Sequence, residues 1–186
     1  MNIHDANNLL LKSREILDSL DIPFFLTYGT CLGIYRDKTL LPYDKDIDVG
    51  ILAENLMPKI DDLALAFGMI GYRAIIKNAE FHQGVSLSAF APCGLHIDIA
   101  GFIKAGNDRY TPSTRHDFCL VYPAEMLEQR ESVFYLDWHW YVPYPVEGYL
   151  AYQYGDSWIT PDMEWKEKKS RARVVGYYHK INGGSK

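Results

Sequence analysis

Residues 46–51 read Asp-Ile-Asp-Val-Gly-Ile, and this alternation constrains the fold more than any other stretch of the chain. Ile47, Val49 and Ile51 recur at every second position, the period of a β-strand with one buried face. Asp46 and Asp48 therefore project together from the other face. Two adjacent carboxylates repel, and burying either one unpaired is costly. A divalent cation removes that repulsion. Hard oxygen donors suit Mg²⁺ or Mn²⁺, which keep several waters and complete their shells with substrate phosphate. An Asp-x-Asp pair by itself reads more readily as a solvated acidic strand edge, so its surroundings decide the matter.

Three surroundings favour the metal–phosphate reading. Gly29-Thr30 follows the bulky strand-like run Phe24-Phe25-Leu26-Thr27 and opens a short helix over 30–36, with Thr30 as its expected N-cap. Such a strand-to-helix junction presents backbone N–H groups to an anion. Arg36 lies one or two turns further on, where a guanidinium can reach a phosphate bidentately. Asp98 interrupts the apolar strand Leu95-His96-Ile97-Asp98-Ile99-Ala100. A carboxylate there needs a partner, and a third metal-facing carboxylate is favoured over an ion pair with an arginine. His96 is expected on the opposite strand face from Asp98, in a structural part. His82 and His139 have no evident partner, and Lys166, Lys168 and Lys169 read as a solvated helix face.

Around this centre, periodicity predicts helices over 3–20 and 55–67 and strands over 72–77, 83–90 and 95–103. Residues 105–125 carry turn chemistry at Gly106-Asn107-Asp108 and Pro112-Ser113, and the aromatic stretch 133–142 suggests one or two strands. Pro145 can start a helix that runs to Tyr154 and stops at Gly155, and 162–170 reads as a final charged helix. No repeat or linker divides the chain, so a single domain over 1–182 is expected, with 183–186 as a flexible tail.

The formal net charge of −5 argues against a nucleic-acid binder, which would present a basic surface. Cys31, Cys93 and Cys119 are odd in number and widely spaced, with neither zinc spacing nor a disulfide framework. They read as free thiols of a reducing compartment, and the expected location is cytoplasmic. The polar N-terminus reads as lacking a signal peptide, and no run approaches the ~20 apolar residues of a membrane span. A membrane-associated acceptor stays compatible with that.

The order strand, Gly-Thr, short helix, Asp-hydrophobic-Asp and later-strand Asp resembles the nucleotidyltransferase superfamily. More narrowly, Tyr28-Gly29-Thr30-Cys31-Leu32-Gly33-Ile34-Tyr35-Arg36 and Leu41-Pro42-Tyr43-Asp44-Lys45-Asp46-Ile47-Asp48-Val49 resemble the LicD, or fukutin-related, family of phosphotransferases. Tyr154-Gly155-Asp156 resembles a late element of that family. The matches span roughly residues 26 to 161. Cys31 and Tyr43 depart from the family pattern, and the chain is short, as for a near-minimal catalytic domain.

The resemblance implies an α+β nucleotidyltransferase fold with a mixed central β-sheet flanked by helices. It implies transfer of a phospho-alcohol, such as phosphocholine, ribitol phosphate or glycerol phosphate, from a CDP-activated donor to a glycan hydroxyl, with release of CMP. Asp46 and Asp48 are then the Mg²⁺ or Mn²⁺ ligands, and Asp98 a further ligand or the base. Asp44 is a peripheral ligand, and Gly29, Thr30 and Arg36 hold phosphate. Tyr154, Gly155 and Trp158 either close over the nucleotide or form an aromatic helix end with a glycine cap. Two alternatives stand beside this: transfer of NMP from an NTP to a small molecule or protein, and a non-catalytic nucleotide-binding member of the fold.

Overall fold

The computed structural model describes residues 1–79, 84–113, 118–177 and 181. His82 and the tail 183–186 lie outside the described residues. Helix α1 (Ile3–Ser19) starts where the Asn2 side chain accepts the His4 and Asp5 N–H groups, an N-cap arrangement. It buries Ala6, Leu9, Leu10, Ile16 and Leu17 on one face, as the periodicity predicts.

Strand β1 (Phe25–Leu26) is only two residues long. Helix α2 (Tyr28–Leu32) follows and runs on as a π-helical turn, Gly33–Asp37. The helix thus begins two residues before the expected start. Its N-cap is Thr27, whereas Thr30 lies inside it. Strand β2 is Asp46–Leu52. The single helix expected over 55–67 is interrupted. Pro58 lies in a tight turn, Met57–Lys59, between α3 (Ala53–Leu56) and α4 (Ile60–Met69).

Strands β3 (Arg73–Ala79), β4 (Gly84–Phe90) and β5 (His96–Ala105) match the three expected strands within a few residues. The 105–125 stretch holds two strands that its turn signals concealed, β6 (Asp108–Pro112) and β7 (Phe118–Pro123). After α5 (Ala124–Glu128), strands β8 (Arg130–Tyr135) and β9 (Trp138–Pro143) form a separate hairpin. Helix α6 (Val146–Tyr154) follows Pro145 and ends at Gly155, whose φ of 90° favours glycine. The charged helix expected over 162–170 is absent. Only a 3₁₀ turn, Glu167–Lys169, forms there before a short strand β10 (Arg173–Val175). That segment has no apolar periodicity to bury, so nothing holds it helical.

The main sheet runs β1-β2-β5-β6-β7-β10, with the β3–β4 hairpin joined to β5 through β4. Strands β2 and β5 pair in parallel and their other neighbours pair antiparallel, so the sheet is mixed. Ile47, Val49 and Ile51 of β2 and Ile97 and Ile99 of β5 point to one face, each at most 1% exposed. Helices α1 and α3 pack against these strands, and α4 packs against β3 and β4. The opposite face carries the acidic residues.

Candidate active site

The parallel register sets Asp46 beside His96 and Asp48 beside Asp98. The antiparallel partner β4 adds Ser88 opposite Asp98 and Phe90 opposite His96. Strand alternation puts all of these on the face away from α1 and α4. The Ser88 hydroxyl donates to Asp98 Oδ1. Lys77 Nζ lies 3.6 Å from the same oxygen.

His96 belongs to this group, contrary to the expectation that it faces away. It is two residues from Asp98, and alternation therefore puts both on the same face. Its Nε2 is 3.8 Å from Asp46 Oδ2 and 3.6 Å from Asp98 Oδ2. The imidazole stacks on Phe90, with centroids 4.9 Å apart, which holds the ring plane. Asp46, His96 and Asp98 each offer one ligand atom within 4.8 Å of the others.

The three-residue cluster fits a divalent cation. It combines two carboxylate oxygens with an imidazole nitrogen that a metal can bind, a donor set open to Mn²⁺ as well as Mg²⁺. The electrostatics agree. Burial, then the charge of Asp98, raises the pKa of Asp46, while His96 and Lys77 pull it down. Asp48 is pushed well above the usual carboxylate range by burial and by Asp46, Asp44 and Asp98. The Gly29 N–H, hydrogen-bonded to Asp48, opposes that rise. Burial, then Asp46, lifts Asp44 to about 6. Four carboxyl groups thus share a region where their negative charges are unfavourable without a cation.

The strand-to-helix turn is tied to this group at several points. The Thr30 hydroxyl accepts the Asp48 N–H at 2.8 Å and is 2% exposed, so it knits α2 to β2 from inside. A Cβ at Gly29 would collide with the Asp44 carboxylate, which explains the glycine. Tyr28 adopts a positive φ of 44°, an uncommon geometry for a bulky residue. The fully buried Tyr149 of α6 holds this turn: its hydroxyl accepts the Tyr28 N–H at 3.0 Å and bonds the Thr27 hydroxyl.

A cavity of about 460 Å³ opens beside Asp44 and Asp48. Gly29, Arg36, Tyr154 and Trp158 line it, as do Tyr43 and Trp165. Thr30 does not, being turned inward, and neither does Gly155, which caps α6. The Arg36 guanidinium is held in a fork by Asp37, at 2.7 and 2.8 Å, and donates to the Trp158 carbonyl at 3.1 Å. Its charge is thus already matched, and it also anchors the C-terminal wall. Tyr154 packs on Trp165, with centroids 4.7 Å apart. Lys77, Tyr149 and Trp165 gave no sequence signal, because each is placed by long-range packing. His96 could have been found by counting alternation correctly.

Residues 21–145 match the family model described as LicD/FKTN/FKRP, nucleotidyltransferase domain. The chain belongs to the LicD/FKTN/FKRP family. It is 30% identical over 173 residues to the mouse ribitol-5-phosphate transferase FKTN, and 29% to the human protein of that name. The match covers 91% of this chain and 36% of each relative, so the chain spans about a third of their length.

Among solved structures, the lincosamide antibiotic adenylyltransferase LnuA superposes with a TM-score of 0.54 at 13% identity, covering 82% of this chain and 92% of that one. The antibiotic-resistance factor ANT(2'')-Ia gives 0.55 at 13% identity, covering 90% and 80%. This LicD-family chain therefore has the nucleotidyltransferase fold: a mixed sheet with helices packed on it, as expected. Among the described residues, no helix is long and apolar enough to cross a membrane.

Proposed function

We propose that this LicD-family chain is a metal-dependent transferase that moves a phospho-alcohol from a CDP-activated donor to a sugar hydroxyl, releasing CMP. The observation that carries the reading is the gathering of Asp46, Asp48 and Asp98 on one sheet face, beside a cavity of nucleotide size. Similarity to ribitol-5-phosphate transferases supports the phospho-alcohol class, and ribitol phosphate is the first donor group to test.

Asp46, Asp48 and Asp98 would hold Mg²⁺ or Mn²⁺, with His96 offering a nitrogen donor beside Asp46 and Asp98, and Asp44 completing the acidic wall toward the larger cavity. When bound, the cation neutralises phosphate oxygens and the charge that develops on them. Tyr43, Tyr154, Trp158 and Trp165 give the nucleoside apolar and aromatic walls and keep bulk water from the diphosphate. The fork of Arg36 with Asp37 fixes the wall that carries Trp158. Asp98, with Ser88 donating to one of its oxygens, accepts the proton of the attacking hydroxyl.

The test is a donor panel of CDP-ribitol, CDP-glycerol, CDP-choline, CTP and ATP, each with and without Mn²⁺. CMP released from a CDP-alcohol alone supports the proposal. Diphosphate released from an NTP instead would establish nucleotidyl transfer. Absence of any metal-dependent nucleotide binding would leave a non-catalytic member of the fold.

A further inference from the structure

A second cavity, of about 220 Å³, adjoins the first. Both are lined by Tyr28, Asp48, Leu120 and Glu167, so they meet at Asp48. Beyond that junction they diverge. The larger cavity continues along α2, the π-helical turn and the C-terminal wall, and takes in Asp44. The smaller one continues over β3, β4, β5 and β6, and takes in Asp98, Lys77, Ser86, Ala100 and Thr111.

Displacement at phosphorus requires the attacking and leaving oxygens to lie roughly in line on opposite sides. Two cavities that meet at one acidic junction and diverge from it provide separate places for the two groups. Their sizes assign them. The larger falls within the ~300–1,000 Å³ of ordinary small-molecule pockets and has aromatic walls. The smaller holds the volume of about seven waters at ~30 Å³ each, enough for one sugar ring and too little for a nucleotide. Its polar lining includes the Lys77 ammonium, the hydroxyls of Ser86, Thr111 and Ser113, and the carboxylates of Asp48, Asp98 and Glu167, groups that hydrogen-bond to sugar hydroxyls.

We propose that the cavity over β3–β6 is the acceptor subsite, that it takes a single terminal sugar residue, and that Lys77, Ser86 and Thr111 set which sugar is used. The inference rests on the phospho-alcohol reading above. In the reaction it implies, the acceptor oxygen forms a bond to the phosphorus that bears the alcohol. The bond from that phosphorus to the bridging oxygen breaks, CMP leaves with that oxygen, and the hydroxyl proton passes to Asp98, a carboxylate that lines the acceptor side and not the larger cavity.

Ser86→Leu and Ala100→Leu fill this cavity from two neighbouring strands. Each variant is compared with wild type using Mn²⁺ and CDP-ribitol, or whichever CDP-alcohol the panel shows to be used, and a panel of methyl glycosides as acceptors. Calorimetry gives the donor Kd, and mass spectrometry follows glycoside transfer. The glycoside KM should rise about ten-fold or more while the donor Kd stays within about two-fold. An unchanged glycoside KM in both folded variants overturns the assignment. Loss of donor binding overturns it as well, by placing the donor on this side. Lys77→Ala, at a partly exposed position, should raise the same KM and guards against misfolding of the leucine variants. Wild-type protein that releases CMP from no CDP-alcohol would refute the reaction class instead. Saturation-transfer NMR of methyl glycosides on wild type and Ser86→Leu then still decides whether a sugar binds here: signal lost in the variant supports the subsite, and equal signal overturns it.

Discussion

The two faces of strands β2 and β5 are built from alternate residues of the same segments, yet they obey opposite rules. On the covered face, Ile47, Val49, Ile51, Ile97 and Ile99 are buried against helices, and each lost methyl group weakens the fold. On the other face, Asp46, Asp48, His96 and Asp98 stand in the same register, and the carboxyls of Asp46 and Asp48 are pressed toward protonation by burial and by neighbouring carboxylates. One face lowers the free energy of folding. The other raises it, and the cation that the carboxylates can hold offsets the repulsion. Substitutions on the two faces should therefore separate stability from activity.

The largest effect is expected at Asp48. Asp48→Ala should lower turnover with the preferred donor by about 10³-fold or more, while the metal-free protein melts at the same temperature or higher. Paired activity and melting measurements check this, and near-normal turnover would remove Asp48 from the site. Ile99→Ala should do the reverse. It should destabilise the protein by about 2–5 kcal/mol in urea unfolding, with specific activity of the folded fraction retained. A smaller change is expected at His96. His96→Ala should weaken Mn²⁺ binding roughly ten-fold and remove nitrogen coupling from the Mn²⁺ EPR signal. Unaltered affinity and spectrum would return His96 to an ion-pairing role.

The smallest effect is a pH dependence. A carboxyl whose folded pKa lies above its unfolded value binds more protons when folded, so stability falls as pH rises between the two values. With Asp44 at about 6 and Asp46 and Asp48 also raised, the metal-free melting temperature should drop from about pH 4 upward through pH 6. Mn²⁺ should restore it, more so at higher pH, because cation and proton compete for the same oxygens. Asp44→Asn should flatten the metal-free profile. A profile rising over that window in differential scanning calorimetry would contradict the raised values.

Much of the fold was legible because apolar periodicity reports burial directly. The α1, β2, β4 and β5 segments and the α6 boundaries at Pro145 and Gly155 follow from spacing and turn residues. Where local signals were weak or mixed, the reading failed. Strands β6 and β7 lie next to turn-rich sequence, Pro58 divides a helix that apolar spacing carried across it, and the charged 162–170 segment has no face to bury. Thr30 illustrates a subtler limit. Its hydroxyl was expected to face phosphate, and the helix starting at Tyr28 turns it inward to the Asp48 N–H.

The sequence by itself determined that Asp46 and Asp48 share a strand face, because the two-residue period of a β-strand leaves no other choice. It also determined that Gly29-Thr30 follows a strand-like run and opens a short helix, and that the chain resembles the LicD family. Only the tertiary structure decided that β2 and β5 pair in parallel with Asp48 beside Asp98, and that His96 joins Asp46 and Asp98. It alone opened two cavities that meet at Asp48. The reason is physical: alternation along a strand is a local property of the backbone, whereas register between strands and the space left beside them depend on how distant segments pack.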